Sequence, residues 1–235
     1  MTDFVLVHGA WHGAWCWDKV KVLLESAGHR CHTPELPLEL GFADYVDTVV
    51  TVIQSCQQPV VLVGHSMAGA VIESVAEALP GQITRLVYLS AFAPQSGQSI
   101  NDLARFNVAS VLRDNVELLD GMLTVKANRV IQAFYHDCDA GDIDAATGRL
   151  RPQNPDAFGH QLKLTEARFG SVPKHYIECV EDQAIHISLQ RKMARDMGLT
   201  HVNSLQTGHS PFFSAPAALA ALIATTGIRD ARFTS

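Results

Sequence analysis

The sequence predicts an α/β protein with a mostly parallel sheet, folded as a single domain. Short apolar runs alternate with segments of helical period along most of the 235 residues, a pattern typical of stacked βαβ units. With 47% hydrophobic residues, a chain of this length can bury one sizeable core but is short for two. No linker or internal repeat interrupts the chain. We therefore expect one domain over residues 1–235.

The first half alternates strand and helix from the N-terminus. In the first predicted helix, apolar residues recur at spacings of three and four from Val20, and Gly28 is a suitable stop. Paired prolines end the second strand, and Pro80 follows the third helix. The predicted elements are a strand over 4–7, a helix over 20–27, a strand over 29–33, a helix over 46–53, a strand over 60–63, a helix over 66–79 and a strand over 84–89.

The alternation stops between residues 95 and 172. This stretch contains helical pieces, an Asp-rich segment and several prolines, but no convincing run of buried strand. We interpret 95–172 as a helical cap inserted between the fourth and fifth strands of the same domain. After Pro173 the alternation returns, with a strand over 175–180, a helix over 186–197, a strand over 201–205 and a final helix after Pro216.

Charge and cysteine usage exclude several function classes. The formal net charge is −6 and no run of basic residues occurs, so binding to nucleic acid or to a membrane surface is not expected. No segment reaches about 18 consecutive apolar residues and no signal peptide is recognisable, so we expect a cytoplasmic protein. The five cysteines form no CxxC pair, which argues against disulfides and structural zinc.

The segment VVLVGHSMAGAV places Ser66 between a buried strand and a helix. A nucleophile elbow requires small residues two positions before and two after the nucleophile, because the tight turn brings their backbones together. Gly64 and Ala68 meet this requirement, although Ala68 departs from the strict G-x-S-x-G pattern. The alternative is that Ser66 only caps a helix. The choice depends on whether the partners of a nucleophilic serine are present.

A serine nucleophile needs a histidine to accept its proton and an acid to orient that histidine. His209 lies in a glycine-containing loop after the last predicted strand, which is the expected place for the base. Glu181 and Asp182 both follow the fifth strand of the sheet, and Glu178 lies within it. Asp182 is the preferred acid because a shorter carboxylate is easier to fix, while Glu181 and Glu178 remain alternatives.

Two backbone amides are the expected oxyanion donors. One belongs to Met67, the residue after the predicted nucleophile, and the other to Ala10, in the loop after the first strand. His8 and His12 in the same loop are four residues apart, but the neighbouring glycines indicate a turn and no third ligand is evident. We therefore expect no metal and no cofactor. Trp11, His12, Phe92, Phe134 and Tyr135 are candidates for the walls of a substrate pocket.

Together, LVHGAWHGAWCW, VGHSMAG, CVEDQAI and TGHSPF make the chain similar to the α/β-hydrolase superfamily. More narrowly, it resembles the branch that contains plant methylesterases, hydroxynitrile lyases and bacterial esterases. The resemblance covers nearly the whole length. It implies a six-stranded parallel sheet with a helical cap, a triad of Ser66, Asp182 and His209, and oxyanion donation by Ala10 and Met67. A homodimer is compatible with it.

Three positions separate the two chemistries of this branch. Where the lyases carry threonine, glutamate and lysine, this chain has Gly9, His65 and Ser210. The missing lysine matters most, because a cationic partner for cyanide is hard to replace. We expect a serine hydrolase acting on a small-molecule carboxylic ester. The alternatives are a hydroxynitrile lyase and a receptor-like protein that binds a ligand with little turnover.

Overall fold

The computed structural model of the chain describes residues 1–199 and 202–226. The elements in chain order are β1 (Asp3–Val7), α1 (Asp18–Ser26), β2 (Arg30–His32), α2 (Phe42–Ser55), β3 (Val60–His65), α3 (Ala68–Ala78), β4 (Ile83–Leu89), α4 (Ile100–Ala104), β5 (Val116–Leu119), β6 (Met122–Val125), α5 (Ala127–Val130), α6 (Ala140–Thr147), α7 (Asp156–Gly159), β7 (Lys174–Cys179), α8 (Ile187–Asp196), β8 (Val202–Leu205), α9 (Pro211–Ser214) and α10 (Pro216–Thr226).

Six of the strands form one sheet in the order β2-β1-β3-β4-β7-β8, and every neighbouring pair is parallel. This confirms the predicted six-stranded α/β fold. The observed bounds lie within a few residues of the predicted ones, because both faces of the sheet are buried and the apolar runs are therefore unambiguous. His201, at the predicted start of the last strand, and residues 227–235 of the predicted domain lie outside the described residues.

The core lies on both faces of the sheet. In β1, Val5 and Val7 join one apolar cluster, whereas Phe4 and Leu6 join the other, as the two-residue period of a strand requires. Helices α2 and α3 pack on the first face, and α1 and α10 pack together on the second. Across the described residues, no helix has the length and apolar character needed to cross a bilayer.

The segment between β4 and β7, called the insertion below, covers the stretch 95–172 for which a helical cap is expected. It contains α4 to α7, a π-helical segment over Ile131–Tyr135, and an antiparallel hairpin of β5 and β6. This hairpin is not predicted by the sequence pattern. Its strands are half-buried or exposed, so they lack the continuous apolar run by which the strands of the main sheet were recognised.

Gly69 is a position where the fold has no room for a side chain. A Cβ on Gly69 would lie 1.9 Å from the backbone oxygen of Phe92, so α3 could pack there only after a backbone shift. We expect Gly69→Ala to lower the free energy of unfolding by at least about 3 kcal/mol, measured by urea denaturation. Gly141→Ala is the matched control. Nothing lies within 4 Å of its Cβ position in α6, so we expect a gain of about 0.5 kcal/mol. An equal effect of both substitutions would contradict the close packing.

Candidate active site

Ser66 occupies a sharp turn between β3 and α3. Its φ is +57°, a left-handed conformation that costs a non-glycine residue roughly 1–3 kcal/mol and is common at functional sites. The turn is tight, because a Cβ on Gly64 would lie 2.7 Å from the Ala68 oxygen. Hydrogen bonds to β4 and the chain after it hold the turn: Ser66 N–H donates to the Leu89 oxygen and Phe92 N–H donates to the Ser66 oxygen. This is the geometry expected of a nucleophile elbow.

Ser66 faces a cavity of about 490 Å³ that it shares with Ala10. The volume is within the range of small-molecule sites, and most of the lining is apolar. Ser66 Oγ has no hydrogen-bond partner in the described part of the chain, so it is available to a ligand. Of the predicted wall residues, Trp11 and Phe92 line the cavity.

His12, Phe134 and Tyr135 were predicted as wall residues but pack against one another instead. The His12 ring lies 5.3 Å from Phe134 and 5.8 Å from Tyr135, measured between centroids. The Tyr135 hydroxyl also reaches His12 Nε2 at 2.8 Å. These three side chains therefore support the loop after β1 rather than line the cavity.

Asp182 and His209 form a buried pair. Each is 1% exposed, and His209 Nδ1 lies 2.7 Å from Asp182 Oδ2. A carboxylate can only accept, so Nδ1–H donates and the Nε2 of the neutral ring is left as an acceptor. The loop of His209 is tied to the serine turn, because His65 Nε2–H donates to the His209 oxygen at 2.8 Å. The base and the acid predicted from the sequence are thus in contact, and His209 lies against His65, the residue before the predicted nucleophile.

The other two candidate acids lie elsewhere. The Glu181 side chain is exposed, whereas Glu178 is 4% exposed and pairs with Arg191 at 2.8 Å. Burial tends to raise the pKa of Glu178, but hydrogen bonds from Arg191 and Ser204 outweigh burial and lower it. Among the described residues, Asp182 is the only one of these three acids that contacts His209.

Ser90 is a residue of the site that sequence analysis missed. It is fully buried directly after β4, with φ +38°, and its hydroxyl donates to Asp182 Oδ2. The other carboxylate oxygen of Asp182 accepts the amides of Ala184 and Ile185 at 2.7 and 2.8 Å. Asp182 is therefore fixed from both sides. The available signal was a serine at the end of a strand, at the same sheet edge as Ser66.

The predicted oxyanion donors are two buried amides without a protein acceptor. Ala10 is 3% exposed and Met67 is fully buried, yet within the described ranges neither backbone N–H donates to another residue. Such orphaned amides are rare in proteins. Met67 also precedes α3, so its amide lies at the positive end of the helix dipole. An anion developing beside Ser66 would provide both amides with an acceptor.

Two histidines hold the loop that carries Ala10. His8 Nδ1–H donates to the Gly9 oxygen at 2.9 Å, while its Nε2 accepts the Leu36 amide at 3.0 Å. The peptide bond between Gly9 and Ala10 is trans, so the Ala10 N–H points away from the Gly9 oxygen that His8 holds. His12 Nδ1–H donates to the Ala10 oxygen at 2.8 Å. All four ring nitrogens are therefore in use, and neither ring is free to bind a metal.

One other group of potential metal ligands occurs among the described residues. Asp3, His32 and Cys56 bring a carboxylate, an imidazole and a thiol close together. The Asp3 carboxylate already accepts two hydrogen bonds from the Arg30 guanidinium. None of the three residues lines the cavity beside Ser66, so this group has no part in the candidate site.

The buried histidines predict sensitivity to acid. Burial lowers the pKa of His8 to about 4 and that of His12 to about 3. Below pH 6.5 the unfolded chain therefore binds protons that the folded chain does not, and stability falls as the pH falls. The two shifts correspond to roughly 3–5 kcal/mol per ring. We expect the urea midpoint to be constant above pH 7 and to drop steeply between pH 6.5 and 4.5.

His12→Gln is the control for this acid effect. The variant is expected to be less stable than the parent at pH 8, yet to lose less stability on acidification, because one titrating ring has gone. Identical slopes for parent and variant would contradict the assignment.

Four consecutive residues of the insertion, 134–137, contact the three loops of the candidate site. Phe134 and Tyr135 are the last two residues of the π-helical segment, a rare conformation that often occurs at functional sites. His136 and Asp137 follow it directly. The contacts are Phe134 with His209 (5.7 Å between ring centroids), the Tyr135 hydroxyl with His12 Nε2 (2.8 Å), His136 Nε2–H with the Glu181 oxygen (3.0 Å), and Asp137 Oδ2 with the Gly208 N–H (2.6 Å). The insertion thus braces the loops on which the predicted triad and oxyanion donors depend.

Comparison with known proteins agrees with this fold. A family model described as the Alpha/beta hydrolase family matches residues 4–222. Putative methylesterase 11 from Arabidopsis thaliana is 29% identical over 94% of this chain, which spans only 63% of that relative. The pyrethroid hydrolase of Sphingobium wenxiniae is 30% identical to this chain, and the match covers 95% of this chain and 87% of the hydrolase. The solved structure of a pyrethroid hydrolase from Sphingobium faniae superposes with a TM-score of 0.88, at 26% identity over 99% of both chains.

Proposed function

Because the chain belongs to the α/β hydrolase family, we propose that it cleaves a small carboxylic ester, of the methyl-ester or aryl/alkyl-ester type, through an acyl-enzyme on Ser66. Similar proteins include methylesterases and a pyrethroid hydrolase, and the chain is accordingly a carboxylesterase-type hydrolase. The observation that carries the proposal is a serine in a strained turn that shares one cavity with Ala10, whose buried amide has no acceptor among the described residues.

The proposed reaction begins with proton transfer from Ser66 Oγ to His209 Nε2. Oγ attacks the ester carbonyl, and the amides of Ala10 and Met67 stabilise the oxyanion. Asp182 keeps the histidine in the required tautomer and stabilises the imidazolium that forms. His209 then donates its proton to the departing alkoxide, and the acyl group remains on Ser66. Water, activated by the same histidine, releases the carboxylic acid and restores the serine.

Ester hydrolysis is favoured over cyanohydrin cleavage by the space around Gly9. A Cβ at this position would lie 2.9 Å from Ser66 Cβ and 3.1 Å from His65 Nδ1. The threonine expected of a lyase would therefore displace the serine turn. The position of the expected lysine is occupied by Ser210, which is fully buried and provides no cation.

Turnover of p-nitrophenyl acetate, an aryl methyl ester and mandelonitrile tests the proposal. We expect multiple turnovers on at least one ester, no release of cyanide from mandelonitrile, and loss of the ester activity in Ser66→Ala. Cyanide release without ester hydrolysis would instead identify a lyase. Tight ligand binding with no turnover on any ester would identify a receptor-like protein.

A further inference from the structure

Trp11 separates the cavity beside Ser66 from a second cavity of about 300 Å³. We propose that the Trp11 indole sets the length limit for the substrate, because it blocks the way from the first cavity into the second, which is suited to a hydrocarbon chain. This proposal rests on the ester hydrolysis proposed above. It concerns which esters the site accepts rather than how they are cleaved.

The two cavities share a wall built from Trp11 and strand β6. Trp11 lines both cavities, Leu123 lines the one beside Ser66, and the next residue, Thr124, lines the other. Strand β6 therefore borders both cavities, with Val125 beside Thr124 at the second one. Trp11 Nε1–H donates to the Leu123 oxygen at 2.9 Å. This hydrogen bond joins the indole to the strand and completes the wall.

Trp11 is held firmly in this position. It is 6% exposed and has φ +62°, which is costly for a bulky residue and persists only where the surroundings enforce it. Its ring lies 5.8 Å from the Phe134 ring and 5.7 Å from the Phe158 ring. The Trp11 oxygen accepts the Arg151 amide at 2.8 Å. The indole is therefore a fixed partition and not a side chain free to swing aside.

The chemistry of the second cavity fits an apolar chain. Most of its lining is apolar, including Val125, Val130 and Leu150. Its one charged residue, Arg151, is paired with Glu35 and also donates to the Leu36 oxygen. The cavity therefore presents no unpaired charge to a ligand, and each methylene buried there would favour binding by about fourfold.

The position of Trp11 in the chain connects this wall to the reaction. Trp11 directly follows Ala10, one of the two amides proposed to bind the oxyanion. An ester carbonyl held by that amide has part of its acyl or alcohol group close to the indole. The partition therefore limits how far that group can extend, and short or compact esters are accommodated best.

The test compares p-nitrophenyl esters from acetate to decanoate in the parent enzyme, Trp11→Leu and Phe158→Leu. Phe158 lines only the cavity beside Ser66. It also packs against Trp11, but the hydrogen bond from Trp11 Nε1–H to the Leu123 oxygen is independent of it, so its replacement widens that cavity and leaves the wall in place. We expect the ratio of kcat/KM for octanoate to that for acetate to rise at least tenfold in Trp11→Leu and less than threefold in Phe158→Leu. Circular dichroism checks that the variants fold. Trp11→Phe removes less of the wall, so it should raise the same ratio by a smaller factor.

A ratio in Trp11→Leu equal to that of the parent or of Phe158→Leu would overturn the proposal while leaving ester hydrolysis intact. If the parent hydrolyses no ester, the proposed function is wrong. In that case calorimetric binding of hexanoate to decanoate still tests the partition, because Trp11→Leu should bind the longer acids at least tenfold more tightly than the parent. Equal affinities would overturn the proposal.

Discussion

Replacing Ser66 with alanine is expected to lower kcat for p-nitrophenyl acetate by a factor on the order of 10⁴–10⁶. The reason is that no acyl-enzyme can form without Oγ, whereas the cavity and the two orphaned amides remain. Some activity above the rate in water should persist, since oxyanion binding alone retains part of the catalysis. Initial rates measured at saturating ester, with active-site titration of the parent, give the ratio directly.

Ser214→Ala is the matched control. Its Oγ, in α9, is buried and has no hydrogen-bond partner in the part of the chain that the structure describes, and it has no place in the proposed mechanism. We expect the rate of this variant to stay within about threefold of the parent, since neither the fold nor the reacting groups change. If Ser66→Ala kept a parental rate, Ser66 would not be the nucleophile and the proposed mechanism would be wrong.

Asp182→Asn is expected to reduce kcat about 10⁴-fold while leaving the fold intact. Both carboxylate oxygens accept hydrogen bonds, one from the Ala184 and Ile185 amides and the other from Ser90 and His209. An asparagine must therefore turn its NH₂ group toward donors on one side or the other. Facing His209, it forces the ring into the tautomer in which Nε2 carries the proton and cannot accept one from Ser66.

Glu181→Gln provides the comparison for Asp182→Asn. Glu181 is the neighbouring acid, it follows the same strand, and its side chain is exposed. We expect near-parental kcat, since Glu181 contacts the site through its backbone: its N–H donates to the Thr207 oxygen and its oxygen accepts from His136. The reverse result, with Glu181→Gln inactive and Asp182→Asn active, would show that the acid had been assigned to the wrong residue.

The main sheet and much of the candidate site could be predicted because local sequence determines them. Strands buried on both faces appear as short apolar runs, and the small residues around Ser66 are required by one turn. Ser90 could not be predicted, since its role depends on Asp182, 92 positions later in the chain. The contact of Tyr135 with His12 spans 123 positions. The hairpin of β5 and β6 was missed because half-exposed strands carry a weak apolar pattern.

The central claim is that an acyl group passes through Ser66, and trapping that intermediate tests it most directly. The enzyme is mixed with p-nitrophenyl acetate, quenched in acid during the burst, and analysed by intact-protein and peptide mass spectrometry. We expect one acetyl group per chain on the peptide containing Ser66, and none there in Ser66→Ala. Hydrolysis that proceeds with no acetylated Ser66, or with the acetyl group on another residue, would contradict the account.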